Sequence, residues 1–127
     1  IDTYINKCEL DIQAICYDPH AIHGVLAEME RRNWFYDLYE IRQGSQTLSN
    51  PNIDFRLKVM NGEIKHHKNP LLDTAVKNAV AKNTNDSVMI EKKMNREKID
   101  PLMATIFAYV IASEHEWNVE SIMPMFF

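Results

Sequence analysis

A helical segment that is apolar on nearly every side constrains the fold of this chain more than any other feature. Residues 101–113 read PLMATIFAYVIAS and carry no charged side chain. A helix that is apolar all round either lies inside a domain or spans a membrane. The segment is too short to cross a bilayer, which takes about 20 apolar residues. Leu102, Met103, Ile106, Phe107 and Val110, together with the small Ala104, Ala108 and Ala112, predict a helix covered on both sides.

The rest of the chain alternates between strand-like and helix-like patterns. We predict strands over 12–17, 35–42 and 87–93, helices over 19–33, 53–64 and 69–83, and turns over 44–52 and 83–86. This order predicts an α/β layered fold, with a central sheet and helices packed on it. The length of 127 residues suits a single domain, and no repeat or linker divides it.

Composition excludes several classes of function. The net charge of −4 gives no overall basic field that would attract nucleic acid or a membrane, so any anion binding must be local. The three glycines do not form a Gly-rich phosphate loop. Cys8 and Cys16 do not have metal-ligand spacing, which favours a reduced intracellular protein. No signal peptide or membrane span is predicted.

Two Asp-Pro pairs, at Asp18 and Asp100, each stand at the expected start of a helix. Aspartate is a good helix N-cap and proline suits the first helical position, so capping alone accounts for either pair. A functional alternative is also open. Asp18 follows a strand, at the sheet end where α/β folds bind ligands, and Asp100 begins the buried helix. Two neighbouring carboxylates repel each other, and oxygen ligands favour Mg²⁺ or Mn²⁺ over zinc.

Basic and histidine side chains flank both aspartates. The basic cluster that leads into Asp100 consists of Lys92, Lys93, Arg96 and Lys98. We interpret it as a candidate contact for DNA phosphates, with a solvated surface as the alternative. His20 and His23 lie beside Asp18, and His67 lies in the KHHK segment. His20 and His67 are candidate rim residues of the site, with surface histidines as the alternative.

Four motifs occur in one order along residues 12–113: ICYDPHAIHGVLAEM, EIRQGSQTLSNP, NGEIKHHKNPLLDTAVKNAVAK and REKIDPLMATIFAYVIAS. Together they resemble the carboxyl-terminal nuclease domain of tailed-phage terminase large subunits. The resemblance implies an RNase H-like fold and two-metal cleavage of concatemeric duplex DNA with Mg²⁺ or Mn²⁺. Asp18 matches the second catalytic acid of the family and Asp100 matches the third.

The resemblance also implies a truncated domain. The first catalytic aspartate of the family lies on a strand that would precede Ile1, and the ATPase motor lies further upstream. We therefore expect residues 1–127 to be a partial, single nuclease-like domain of a phage or prophage terminase, inactive by itself. Nothing in the sequence places Asp2 or Asp11 near Asp18 as a substitute.

Partners and location follow from the same resemblance. It implies double-stranded DNA, the terminase small subunit and the portal as partners, no membrane, and the cytoplasm of the bacterial host as the place of action. The alternative is a non-catalytic α/β module, a prophage remnant that binds DNA or a protein. In that case both Asp-Pro pairs would be helix caps only.

Overall fold

Helices and short strands alternate along the chain in the computed structural model, which describes residues 2–20 and 22–114. The elements are α1 (Asp2–Lys7), β1 (Ile15–Tyr17), α2 (His23–Arg31), β2 (Leu38–Glu40), α3 (Ser45–Met60), α4 (Pro70–Asn78), β3 (Ala79–Thr84), β4 (Ser87–Lys92) and α5 (Asp100–Glu114). The predicted α/β class is therefore confirmed. The predicted first helix and the first two strands are each shorter than expected, while β4 agrees to within one residue.

Within the described ranges the strands form two separate two-stranded sheets. β1 and β2 are parallel, with Ile15 opposite Leu38 and Tyr17 opposite Glu40. β3 and β4 form an antiparallel hairpin. Because β1 and β2 are parallel, their carboxyl ends lie at one edge, and the chain leaves that edge at Asp18.

The core is built around α5, which packs against β1, α3 and α4. Ile106 of α5 and Leu48 of α3 are its most deeply buried large side chains, at 1% and 0% exposed. The other buried residues of α5 are Leu102, Met103, Phe107, Val110 and Ile111. Together with Ile106 they recur as three pairs, four residues apart, so they occupy one broad side of the helix.

The prediction that α5 is covered on both sides is wrong. Ala104, Ala108 and Ala112 follow one another at intervals of four residues and are exposed. The buried pairs already take up the side of the helix that the rest of the domain covers, which leaves the alanines facing outward. No helix among the described residues has the length and apolarity that crossing a bilayer requires.

The predicted turn over 44–52 is also wrong, because α3 begins at Ser45. Ser49 and Asn52, residue types that favour turns, form hydrogen bonds with strand β4 instead of with the backbone beside them. The Ser49 hydroxyl accepts the backbone N–H of Val88 at 2.9 Å, and Asn52 Nδ2 donates to the carbonyl of Val88 at 2.9 Å. The expected end of this helix is confirmed, since Gly62 takes the left-handed conformation at φ +71°.

The predicted helix over 69–83 splits into a helix and a strand. Asn69 caps α4, where its Oδ1 accepts the N–H groups of Leu71 and Leu72. From Ala79 onward the chain is strand β3, because a two-residue turn at Asn85 and Asp86 folds it back onto β4. Both turn residues have positive φ, at +40° and +67°, as hairpin turns of this length require.

Candidate metal centre

Asp18 lies at the edge shared by β1 and β2, and its carboxylate is held by two hydrogen bonds. Oδ1 accepts the backbone N–H of His20 at 2.9 Å, within the turn that follows β1. Oδ2 accepts Nε2 of Gln43 at 2.6 Å, and Gln43 lies three residues beyond the end of β2. Asp18 is half-buried, so these two bonds fix its orientation. Each carboxylate oxygen can accept more than one partner, which leaves it able to bind a cation.

Asp18 does not cap a helix. α2 begins at His23, and its N-cap is Ile22, which offers no side-chain bond. Asp18 stands five residues before the helix, where it stabilises a turn. The capping alternative that the sequence left open is therefore not the arrangement found at this position.

Asp100 is the first residue of α5, and its side chain is exposed. The carbonyl of Ile99 accepts the N–H of Met103 at 3.0 Å, so Ile99 occupies the cap position. The Asp100 carboxylate makes no hydrogen bond or ion pair with any residue in 2–20 or 22–114. Its negative charge suits the helix N-terminus, but its oxygens remain available to a ligand.

A groove of about 440 Å³ adjoins the start of α5. Arg96 and Lys98 line one side, and Leu71, Thr74 and Asn78 of α4 line the other. Asn78 Nδ2 donates to the carbonyl of Lys98 at 3.1 Å. This bond joins the end of α4 to the segment that leads into Asp100, and it gives Asn78 a role that the sequence did not predict.

The four predicted basic residues occupy different positions. Arg96 and Lys98 line the groove beside α5. Lys93 donates its ammonium to the carbonyl of Lys77, near the end of α4. Lys92 is the last residue of β4 and pairs with Ala79. Arg96 and Lys98 are thus the two members of the cluster on the groove beside Asp100.

The histidines contribute little to this arrangement. His20 and His23 are exposed, and His20 reaches Asp18 through its backbone N–H. His67 is exposed, and its carbonyl accepts Nδ1 of His66 at 2.8 Å. His67 is not among the described residues that line the groove beside α5.

The donor set at this edge suits a hard divalent cation. Mg²⁺ often binds one or two carboxylates and completes its shell with water, and the oxygens of Asp18 fit that pattern. In the part of the chain that the structure describes, no three His, Cys, Asp or Glu side chains form a metal-holding group. Asp11 instead accepts a hydrogen bond from Gln13 at 2.7 Å. Burial raises the pKa of the Cys16 thiol, which keeps it protonated on β1.

Gln43 is the site residue that sequence reasoning missed as a partner of Asp18. It lay in a quoted motif without a role. The signal that could have found it was its position just after a strand, since parallel neighbouring strands end at one edge of a sheet.

An α/β domain with a carboxylate at the edge shared by two parallel strands agrees with the RNase H-like class. The family model for the terminase large subunit, endonuclease domain, matches residues 1–116, and the chain belongs to that family. A search of curated proteins found no match.

A crystal structure of the large terminase of bacteriophage HK97 is similar, with a TM-score of 0.71 and 19% sequence identity. The match covers 85% of this chain and 23% of that terminase. At this identity the similarity establishes the shared fold. The chain therefore corresponds to about a quarter of the length of that protein.

Proposed function

We propose that this domain provides two metal-binding carboxylates, Asp18 and Asp100, to the endonuclease of a phage or prophage DNA-packaging terminase. The observation that supports this most directly is the setting of Asp18. Its carboxylate caps no helix, yet hydrogen bonds from His20 and Gln43 hold it in a fixed orientation. A ligand that is oriented in advance in this way is typical of metal sites.

Each residue has a defined role in this proposal. We expect the carboxylates of Asp18 and Asp100 to lie roughly 4 to 8 Å apart, the range that suits shared or paired cations. Mg²⁺ or Mn²⁺, when bound, acts as a Lewis acid and lowers the pKa of a bound water. Arg96 and Lys98 contact DNA phosphates beside the site and position the backbone.

The proposal also involves a catalytic acid and protein partners outside residues 1–127. The family resemblance places a further catalytic acid on an upstream strand, so we expect residues 1–127 alone to cut DNA poorly or not at all. Two carboxylates hold one cation more readily than the pair that two-metal hydrolysis uses. The small subunit and the portal are the protein partners that this role implies, in the cytoplasm of the bacterial host.

Metal binding and cleavage test the proposal in two steps. In calorimetry, Mn²⁺ should bind the chain weakly, and Asp18→Asn or Asp100→Asn should abolish binding. Asp86→Asn, which changes an acid in the hairpin turn, should bind as the wild type does. Identical affinities in all four proteins would contradict the metal assignment.

In the second step the chain is extended upstream to include the family's first aspartate. The extended protein should cut duplex DNA in the presence of Mn²⁺ with little sequence preference, and each Asp→Asn variant should be inactive. An extended protein that folds and binds metal but stays inactive would support the alternative, a non-catalytic module that binds DNA or a protein.

A further inference from the structure

An apolar groove of about 690 Å³ lies between α3, α4 and the β3–β4 hairpin, with α5 as its floor. Its walls include Phe55, Val59, Leu72, Val76, Ile90 and Ile106. Several lining side chains are open to solvent, with Met60 71%, Val76 54% and Val59 49% exposed. Neither Asp18 nor Asp100 lines this groove, so it is separate from the candidate metal centre.

The groove contains a buried hydrogen-bond acceptor that has no donor among the described residues. Asn52 lines the groove and is 3% exposed. Its Nδ2 donates to the carbonyl of Val88, but its Oδ1 has no donor among the residues that the structure describes. Buried polar atoms are nearly always paired, so Oδ1 favours a ligand that brings an N–H group. An apolar surface with one buried acceptor suits a peptide backbone with apolar side chains.

The charges around the groove favour an acidic ligand. Arg56, Lys65 and Lys77 line it, and Asp73 is the one acidic residue among the described residues that line it. Opposite charges across an interface favour association and set its orientation. The ligand that fits is therefore apolar, acidic at its flanks and able to donate from its backbone.

We propose that the segment 115–127 of this same chain, which lies outside the described residues, occupies the groove. It reads HEWNVESIMPMFF, with two glutamates and neither lysine nor arginine. Its stretch 122–127 is apolar throughout and carries backbone N–H groups at every position except Pro124. One of these N–H groups pairs with Asn52 Oδ1, while Glu116 and Glu120 lie toward the basic lining residues.

The distances allow this arrangement. α5 ends at Glu114, and Ile106 in the floor of the groove lies ~12 Å back along the helix axis. An extended chain from residue 114 to residue 122 spans up to ~27 Å. The stretch 122–127 therefore reaches the groove after the chain reverses direction, with length to spare.

Photocrosslinking in the full chain tests the inference. Benzoylphenylalanine in place of Phe126 should crosslink within one chain to peptides from α3 or α4 that line the groove. The same label in place of Phe35, which is 83% exposed, should not crosslink to the groove. A crosslinked dimer would assign the groove to a second copy and overturn the proposal. Crosslinks to other surfaces, or none, would overturn it as well.

A matched pair of substitutions on α4 makes the test specific. Val76→Glu places a negative charge in the groove and should reduce the crosslink from position 126 at least fivefold. Leu71→Glu makes the same change at a 71% exposed apolar residue that does not line this apolar groove. This control should leave the crosslink unchanged. Val59→Glu on α3 repeats the test if Val76→Glu fails to fold. Equal crosslinking in the groove and control variants would contradict the proposal.

Discussion

At the scale of single residues, the best-defined feature of the site is the bond between Gln43 and Asp18. The sequence placed Asp18 at a strand end because an apolar run stops there and Asp-Pro follows. It could not identify Gln43 as the partner, because the two residues are 25 positions apart. They meet only because β1 and β2 pair in parallel, with Tyr17 opposite Glu40.

This contact predicts a role for Gln43 in metal affinity. Gln43→Leu should weaken Mn²⁺ binding roughly tenfold, because residues that orient a metal ligand typically affect affinity on that scale. Gln13→Leu removes the same kind of bond, from Gln13 to Asp11 at 2.7 Å, and should have no effect. Calorimetry on both variants and the wild type measures the difference. Equal weakening in the two variants would show that the effect is not specific to Asp18.

A second residue-scale prediction concerns acid stability at Glu28. A hydrogen bond from Arg31, which has the larger effect, and a hydrogen bond from Arg32 lower the pKa of Glu28 from 4.5 to about 2. Because the folded pKa is below the unfolded pKa, its contribution to stability is present above pH 4.5 and is lost as the pH falls toward 2.

Glu28→Gln should therefore lower the free energy of unfolding at pH values well above the unfolded pKa, and the difference from wild type should shrink toward pH 2 and vanish below it. Urea unfolding at a series of pH values measures it. High salt should shrink the difference at neutral pH, since both partners are exposed. A difference that persists unchanged at the acid end of the series would rule out the ion pairs as its source.

At the scale of elements, sequence patterns predicted those helices and strands whose structure depends on local features. The end of α3 at Asn61-Gly62 and the hairpin turn near Asn85 follow from the backbone preferences of their own residues. α5 was found from its apolar pattern. The start of α3 was missed because Ser49 and Asn52 bond to Val88, which is distant in sequence. β3 was missed because its alternating alanine and valine residues suit a helix as well as a strand. Only the pairing with β4 makes this stretch a strand.

The segment between β4 and α5 carries a prediction about DNA binding. Arg96→Glu with Lys98→Glu should weaken binding to duplex DNA more than Lys92→Glu with Lys93→Glu, since Arg96 and Lys98 line the groove beside Asp100. Lys93 already binds a backbone carbonyl. A plot of the logarithm of the DNA association constant against the logarithm of the salt concentration has a negative slope. The magnitude of this slope should fall by roughly 0.9 for each DNA phosphate that the variant no longer neutralises.

The two double variants change the net charge equally, so each controls for the other. Binding to a short duplex over a range of salt concentrations measures both slopes, and Mn²⁺ affinity should stay nearly unchanged in both. An equal decrease of DNA affinity in the two variants would indicate a general charge effect rather than phosphate binding at the groove.

At the scale of the whole molecule, the sequence predicted the α/β class but not the division into two sheets. The α/β class follows from the alternation of short apolar runs, typical of strands, with apolar residues at helical spacing. The division depends on which strands pair, and pairing is decided by contacts between distant segments. β1 and β2 pair over three residues each and are joined through α2, whereas β3 and β4 pair over six residues across a two-residue turn.

This difference in pairing has a consequence for local stability. The parallel pair is held by three paired residues on each strand and the hairpin by six, so fewer contacts between strands resist opening of the β1–β2 edge. Local opening of the β1–β2 edge should therefore cost less than opening of the hairpin. The amide of Ile41, which donates to the carbonyl of Tyr17, should exchange with deuterium faster than the paired amides of β4. A cation bound to Asp18 should slow exchange at Ile41 and leave exchange in the β3–β4 hairpin unchanged. The bound metal would then stabilise the strand edge that binds it.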